Sequence, residues 1–123
     1  GAAFLLSAPL EQSSGGVLYF GRLMKHFLLF YEADGDYAER RKPFRAAHLA
    51  HARAAKDRGE LVLAGGLAEP VDGSVLLFKG ETDAAARRFA ETDPYIVNGV
   101  VQRWRVREWT TVVGDLALTE VKL

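Results

Sequence analysis

The sequence predicts an α+β fold of the ferredoxin-like type, in which the order β-α-β-β-α-β builds a four-stranded antiparallel sheet with two helices on one face. Three observations lead to this prediction. Short apolar runs typical of strands alternate with two alanine-rich segments of helical period. The link between the second and third strands is short enough for an antiparallel hairpin. The chain has 123 residues, which suits one domain with a single core.

Composition excludes several classes of function. Sixteen basic residues balance sixteen acidic ones, so no net field attracts nucleic acid or an anionic membrane. The chain has no cysteine, which excludes disulfides, thiolate catalysis and thiolate metal sites and fits the cytoplasm, where we expect the protein. No apolar run approaches the roughly 20 residues of a membrane helix.

The first 23 residues differ in character from the rest. They contain Ser13-Ser14-Gly15-Gly16, which has the composition of a flexible linker, and Met24 is the only methionine. We interpret residues 1–23 as an added leader, with a genuine N-terminal extension as the alternative. Within them, Val17-Leu18-Tyr19-Phe20 is apolar enough to add to a sheet edge of its own or of a neighbouring molecule. The domain proper is predicted to span residues 24–115.

The first strand and first helix follow Met24. The run Lys25–Tyr31 is aromatic and apolar and predicts a buried strand, on which we expect His26 to be partly exposed. A helical period then extends to Arg58. Pro43 is tolerated in a first helical turn, so the regular helix is expected to begin near Arg41 or Lys42. Gly59 is expected to end it as a C-terminal cap.

The remaining elements complete the pattern. A proline after Asp93 disfavours helical conformation in that residue and predicts the end of the second helix. The segments in order are strands Leu61–Ala64 and Ser74–Lys79, a helix from Ala84 to about Glu91, the longest strand Val100–Val113, and a tail or added strand at residues 116–123.

Two helices on one face leave the other sheet face uncovered. That face is apolar and aromatic, and such a surface is usually covered by a partner. We therefore predict a homodimer in which two sheets pack face to face with two-fold symmetry. Arg103, Arg105 and Arg107 alternate along the last strand, and with zero net charge they favour a solvated or dimer-paired strand face over a nucleic-acid site.

The residues best suited to chemistry are His48 and Asp93. His48 lies on the inward stripe of the first helix among alanines, which leave room beside its ring. Asp93 leads a turn on the same side of the sheet, and a carboxylate on one ring nitrogen fixes the tautomer and makes the other nitrogen a general base. The alternatives are purely structural: a packed core histidine and an aspartate that only caps its turn. Arg45, one turn before His48, is suited to hold an anionic group.

The spacing of the histidines and glycines does not favour a metal site or a phosphate-binding loop. His48 and His51 lie three residues apart on one helix, and a zinc site would need further ligands that the neighbouring sequence does not offer. Gly65-Gly66 lacks both the glycine spacing and the lysine of a phosphate loop. We predict no metal and no cofactor.

Several segments together resemble the YciI-like (YCII-related) family. They are Met24–Tyr31, Arg45-Ala46-Ala47-His48-Leu49, Gly59–Leu67, and Asp93-Pro94-Tyr95 with Gly99. The resemblance covers about residues 24–113. It implies a ferredoxin-like fold assembled as a dimeric α/β barrel, a histidine–aspartate active site carried to His48 and Asp93, and no cofactor. One departure is Gly65-Gly66, where the family often has Gly-Pro.

The resemblance implies a small-molecule substrate and leaves two functions open. In the first, the protein is a cofactor-independent lyase or isomerase that removes a proton from a small carbonyl or phenolic compound, or eliminates a group from it. His48 and Asp93 would be catalytic, and Arg45, Tyr95 and Gly65 would bind the substrate. In the second, the same cleft belongs to a non-catalytic small-molecule-binding or interaction domain.

Overall fold

The computed structural model describes residues 11–13, 16–19 and 22–119. The strands are β1 (Glu11–Ser13), β2 (Gly16–Tyr19), β3 (Arg22–Glu32), β4 (Leu61–Gly66), β5 (Gly73–Gly80) and β6 (Arg103–Trp109). The helices are α1 (Tyr37–Arg40), α2 (Arg45–Asp57), α3 (Ala84–Thr92) and α4 (Pro94–Val97), with a 3-10 turn at Lys42–Phe44. Within these ranges no helix has the length and apolar character needed to cross a bilayer.

Four antiparallel strands form the body of the sheet, in the order β4-β5-β3-β6. Strand β3 is central, and its Phe27 lies opposite Phe78 of β5 and Glu108 of β6. Helices follow β3 and β5, so the two crossover connections of the split β-α-β pattern are both helical. This is the ferredoxin-like arrangement, and the predicted α+β fold is confirmed.

Helices α2 and α3 cover one face of this sheet, and the core lies beneath them. Phe27, Leu29 and Tyr31 alternate along β3 toward this face and are buried. Phe78 of β5 meets Phe89 of α3 with ring centroids 5.3 Å apart. The period of two along β3 therefore brings Tyr31 under the helices, where the candidate site lies.

Helix α2 begins later than the sequence indicates. The regular helix starts at Arg45 rather than at Arg41 or Lys42, because Pro43 sits in a separate 3-10 turn. Its end is as predicted. Gly59 adopts φ +80°, its amide donates to Lys56 O (2.9 Å), and the next amide donates to Ala55 O (3.0 Å). This pair of bonds is a Schellman cap, which needs a residue tolerant of the left-handed conformation.

The break after α3 occurs at the predicted aspartate–proline step. Asp93 has extended geometry (φ −68°, ψ 128°), as expected for a residue before proline. It then becomes the N-cap of α4, and its side chain accepts a hydrogen bond from the Tyr95 amide. Two helices thus meet at the carboxylate of Asp93.

The last strand is shorter than predicted. The expected range Val100–Val113 contracts to β6, and β3, with 11 residues, is the longest strand. Val100 and Val101 are apolar and buried, but their amides donate to Tyr95 O (2.8 and 3.0 Å) instead of to the sheet. Residues 116–119 form turns and bends rather than an added strand, and residues 120–123 lie outside the described part.

The N-terminal segment adds to the sheet of its own chain. Strand β2 pairs with the start of β3, where Val17 lies opposite Met24, and β1 pairs with β2. Phe20, which the sequence suggested as part of this strand, is outside the described residues. Strand β3 begins at Arg22, so it runs across the predicted boundary at residue 24. Whether residues 1–23 are a leader or an extension stays a prediction.

The second face of the sheet carries no helix within the described residues. Leu28, Phe30 and Leu77 lie on it, half-buried. Leu63 and Trp109 are 69% and 47% exposed. The guanidinium of Arg105 lies 4.5 Å from the ring centroid of Phe30, so part of the predicted arginine row covers aromatic surface. We call this surface the open face.

His26 is more buried than expected. It lies on the open-face side of β3 but is only 3% exposed. Its Nδ1 shares a hydrogen bond of 2.7 Å with Thr111 Oγ1. The Leu118 amide donates to the same hydroxyl (3.0 Å), so the C-terminal turn folds over the histidine. The expectation of partial exposure is wrong because no pattern in the sequence indicates that the chain returns over His26 after β6.

Candidate active site

A cavity of about 110 Å³ lies between α2 and the strands β4 and β5. The N-terminal part of α2 forms one wall together with Tyr37 and Arg41, the β4 glycines form the opposite wall, and Tyr95 of α4 closes one end. Its lining residues are Tyr37, Arg41, Arg45, His48, Leu49, Ala52, Ala64, Gly65, Gly66, Ser74, Leu76 and Tyr95. Four of the five predicted site residues therefore line one cavity, and Asp93 lies behind it in contact with His48.

Asp93 is fully buried and is surrounded by hydrogen-bond donors. Oδ2 accepts from the Tyr31 hydroxyl (2.7 Å), and Oδ1 accepts from the Tyr95 amide (3.0 Å). His48 Nδ1 lies 2.9 Å from both carboxylate oxygens. A carboxylate can be kept ionised inside a protein only when donors of this kind replace its water. Turn capping and contact with His48 are thus both true of Asp93.

The donors around Asp93 assign the tautomer of His48. An ionised carboxylate only accepts hydrogen bonds, so the hydrogen-bond network places a proton on Nδ1 of the imidazole. In the neutral ring the lone pair is then on Nε2. Nδ1 is occupied by the buried carboxylate, so Nε2 is the ring nitrogen available to a molecule in the cavity.

Tyr95 fixes the plane of the imidazole. Its ring stacks on that of His48, with centroids 3.9 Å apart and an interplanar angle of 4°. Because the Tyr95 amide also binds Asp93, a single residue orients both members of the pair. Tyr37 meets Tyr95 edge to face at 6.0 Å, which fixes the stack from behind.

The phenols of the two tyrosines nearest to Asp93 have raised pKa values and stay protonated at neutral pH. Burial raises the pKa of the Tyr31 phenol far above its ordinary value, and the negative charge of Asp93 raises it further. Burial also raises the pKa of Tyr95, and proximity to the Tyr37 phenol adds to this, while the charges of Arg41 and Arg45 oppose it. Tyr31 is therefore a fixed hydrogen-bond donor to the carboxylate at neutral pH.

Arg45 and Gly65 occupy opposite sides of the cavity. Arg45 is the first residue of α2 and is exposed at the rim, one turn before His48. Gly65 lies in the β4 wall, where a Cβ atom would meet no other atom within 4 Å. The neighbouring Gly66 pairs with Ser74, a residue that also lines the cavity, so strand alternation turns Gly66 toward it.

Sequence reasoning missed Tyr31, Tyr37, Arg41 and Ser74. Tyr31 carried a partial signal, because a polar hydroxyl at the end of a buried strand needs a hydrogen-bond partner. Arg41 lies four residues before Arg45, a spacing that suggests neighbouring positions, but the intervening 3-10 turn is not evident from the sequence. Ser74 and Tyr37 had no signal that separates them from ordinary strand and helix residues.

His51 belongs to the packing between α2 and α3. Its Nε2 lies 3.0 Å from Phe89 O and 3.2 Å from Thr92 Oγ1, and its ring stacks on Phe89 at 4.3 Å. His51 Nε2 is therefore occupied by contacts with α3 and does not face a metal site shared with His48. In the described part of the chain, no three potential metal ligands of the histidine, cysteine or carboxylate type lie together.

Comparisons with known proteins agree with this architecture. Residues 24–110 match the family model described as the YCII-related domain. Over 95 residues the chain is 28% identical to the YciI proteins of Escherichia coli O6:H1 and Shigella flexneri, covering 70% of this chain and 97% of each relative.

A solved structure is similar in fold. It is the 5-chloro-2-hydroxyhydroquinone dehydrochlorinase of Burkholderia phenoliruptrix, in complex with 2,5-dihydroxybenzoquinone. The TM-score is 0.60 at 22% identity, and the match covers 70% of this chain and 94% of that one. Because the family model spans most of the domain and both relatives match over nearly their full length, this chain belongs to the YCII-related family.

Proposed function

We propose that the protein is a cofactor-independent lyase or isomerase that acts on a small carbonyl or phenolic compound. The observation that supports it most is the contact of His48 Nδ1 with the buried carboxylate of Asp93, at 2.9 Å, beside a cavity. A carboxylate in this position holds the ring in one tautomer and stabilises the imidazolium that forms when the other nitrogen takes a proton. His48 is the general base and Asp93 its orienting partner.

The reaction follows from what the base can do. His48 Nε2 takes a proton from a carbon next to a carbonyl, and the electron pair of the broken C–H bond moves to the carbonyl oxygen as an enolate. The enolate then re-forms the carbonyl. In elimination it expels a leaving group from the β-carbon as an anion, and the proton passes from Nε2 to solvent, which restores the base. In isomerisation the enolate is conjugated with a C=C bond, and Nε2 returns the proton to the far carbon of that system. Arg45 lies near the oxygen that becomes negative, and Tyr95 and the Gly65 backbone bound the substrate.

Turnover by a variant that keeps the fold tests this proposal. His48→Asn places an amide N–H where Nδ1–H was, so the bond to Asp93 is retained while the base is lost. We expect kcat for 5-chloro-2-hydroxyhydroquinone, measured by chloride release, to fall by about 100- to 10,000-fold. A small lactone is the second substrate to test, and the same fall is expected for it. That chlorinated compound is chosen because the structurally similar dehydrochlorinase acts on it. His51→Gln is the matched control, because its amide keeps the contact to Phe89 O and should leave turnover unchanged.

The second candidate is a non-catalytic small-molecule-binding domain that uses the same cavity. It is favoured by the modest volume of the cavity and by the exposed Arg45 at its rim. In that case no substrate turns over, and His48→Asn leaves the affinity for a cavity ligand nearly unchanged. If wild type and His48→Asn show equal turnover, the enzymatic proposal is wrong.

We further propose that the protein is a homodimer joined through the open face, the arrangement of a dimeric α/β barrel. The support is the apolar centre of that face, with Leu28, Phe30 and Leu77 half-buried and Leu63 and Trp109 exposed. Burial of these side chains would stabilise association. Light scattering at micromolar concentration should give twice the chain mass, and Leu63→Glu should lower it to the monomer. A monomeric wild type would contradict the dimer.

The cytoplasmic location remains a proposal, based on the absence of cysteine from the sequence. Fractionation of cells that express the native chain would test it. Recovery in the membrane or secreted fraction would exclude it.

A further inference from the structure

Two arginines line the cavity without a carboxylate partner. Arg41 and Arg45 both lie in its wall beside His48. Elsewhere in the chain, Arg40, Arg58 and Arg103 each form an ion pair with an acidic side chain. Within residues 23–119, whose side chains the structure describes, no such pair involves Arg41 or Arg45. Two positive charges therefore meet at this cavity, in a protein whose net charge is zero.

Arg41 has a buried hydrogen-bond donor without a partner in the described part of the chain. Its guanidinium lies 5.3 Å from the centroid of the Tyr37 ring, which fixes its direction. Its Nε is buried and has no hydrogen-bond partner within the described chain. A buried donor without an acceptor is rare in proteins. Because the Arg41 side chain also lines the cavity, a ligand that draws its guanidinium toward the cavity would supply the missing acceptor.

Arg41 and Arg45 line the same cavity as His48 and Tyr95. The positive charges of both arginines oppose the rise in the pKa of the Tyr95 phenol, whose ring stacks on His48. A group bound to both arginines in this cavity would therefore lie near the proposed base. The planar fork of a guanidinium matches the two oxygens of a carboxylate, and two guanidiniums in a partly buried site favour such an anion over a neutral group.

We propose that the substrate is a small carboxylate, whose carboxylate group binds Arg41 and Arg45 and whose reacting carbon lies beside His48. The inference rests on the proposed function in one respect: both use the same cleft. Its size limits the ligand, because a cavity of about 150 Å³ holds a benzene molecule and this one measures about 110 Å³. The ligand is therefore a single-ring or short-chain acid.

The two charges also serve the reaction. Removal of a proton beside a carboxylate-bearing carbon builds a second negative charge on the neighbouring carbonyl oxygen. Arg41 and Arg45 offset this charge in the transition state, where such fixed positive groups have their largest effect.

Calorimetric titration with benzoate tests the inference, with benzamide as the uncharged ligand of the same shape. We expect wild type to bind benzoate at least tenfold more tightly than benzamide. Arg41→Gln and Arg45→Gln should each weaken benzoate binding about tenfold. Arg53→Gln is the control, since Arg53 is an exposed residue of α2 outside the cavity lining, and its affinity should stay within twofold of wild type.

Three results would overturn the inference: equal binding of benzoate and benzamide, unchanged affinity in Arg45→Gln, or arginine-dependent binding of 2,5-dihydroxybenzoquinone without any binding of benzoate. Arg45 is at the rim, so its variant remains informative if Arg41→Gln does not fold. The His48→Asn variant separates this inference from the proposed function. Arginine-dependent benzoate binding together with unaltered turnover in His48→Asn would sink the lyase proposal and leave the carboxylate site standing.

Discussion

The two sides of the sheet each carry a buried histidine, and the two rings have different partners. His48 comes from the helix that covers one face, and its Nδ1 meets the carboxylate of Asp93 at 2.9 Å. His26 comes from β3 on the open-face side, and its Nδ1 meets the hydroxyl of Thr111 at 2.7 Å. They are 9% and 3% exposed, so burial alone does not distinguish them.

The difference lies in the charge of the partner and in what that partner binds next. Asp93 is an anion that gathers donors from Tyr31, Tyr95 and His48. It can stabilise a protonated imidazole. Thr111 is neutral, and its other contact is the Leu118 amide, which holds the C-terminal turn. Within residues 23–119 no ion pair involves His26, and Lys79 opposite it on β5 would repel a positive charge on its ring.

The partners of a buried histidine, rather than its burial, indicate its role. A carboxylate on one nitrogen and a cavity at the other form an arrangement suited to proton transfer. A hydroxyl on one nitrogen and a folded tail around it form an arrangement suited to fastening a segment. Three experiments test whether the surroundings of the two histidines also differ in their contribution to the free energy of unfolding.

The largest expected effect is on the carboxylate side. Asp93→Asn replaces a charged acceptor of three donors with a neutral amide. The charge-assisted bonds are lost, and Tyr31 or His48 must reverse its role and accept from the new NH₂ group. We expect the free energy of unfolding to fall by about 2–4 kcal/mol. Urea unfolding measures it, with the exposed Asp57→Asn as control. A loss below about 1 kcal/mol would mean that the network contributes little to the fold.

A smaller effect is expected on the hydroxyl side. Thr111→Val keeps the shape of the side chain and removes the group that binds His26 and the Leu118 amide. We expect a loss of about 1–2 kcal/mol, because both lost bonds join neutral groups. The same unfolding measurement applies, and faster hydrogen exchange at the Leu118 amide should accompany it. Thr110→Val, at the exposed neighbouring residue, is the control, and equal losses for both variants would contradict a role for the hydroxyl.

Much of this fold follows from the sequence, for reasons visible in particular elements. The strands β3 and β5 and the helices α2 and α3 each combine a clear hydrophobic period with a strong end signal, such as Gly59 or Pro94. The secondary structure after α4 was harder to predict. Val100 and Val101 are as apolar as strand residues, yet their amides bond to the carbonyl of Tyr95. Apolar composition predicts burial there, but it does not say which acceptor an amide will find.

The candidate site also contains residues that the sequence predicts and residues that it does not. His48 and Asp93 could be singled out because one lies on the inward stripe of a helix and the other before a proline. Their contact depends on α2 and α3 packing side by side, because the two residues are 45 positions apart in the sequence, and no local pattern encodes that contact. Arg41 could not be placed, because its direction is set by the 3-10 turn and by the ring of Tyr37.

The smallest expected effect is the pH dependence that His26 contributes to stability. Burial, and then the charge of Lys79, lower the pKa of His26 below its ordinary value of about 6.5. Between the folded-state pKa and about 6.5 the unfolded chain binds more protons than the folded one, so stability rises with pH across that window. His26 therefore contributes its full share above about pH 6.5, and the share is lost as the pH falls through the folded pKa.

His26→Asn isolates this contribution. The asparagine side chain can retain a hydrogen bond to Thr111 from the position of Nδ1 but does not titrate. Unfolding free energies of both proteins from pH 5 to pH 8 should show a flatter acid limb in the variant. Protonation of His26 is expected to destabilise the fold because its ring is buried and Lys79 repels the charge. Parallel curves would show that His26 gains a proton in the folded protein as readily as in the unfolded chain.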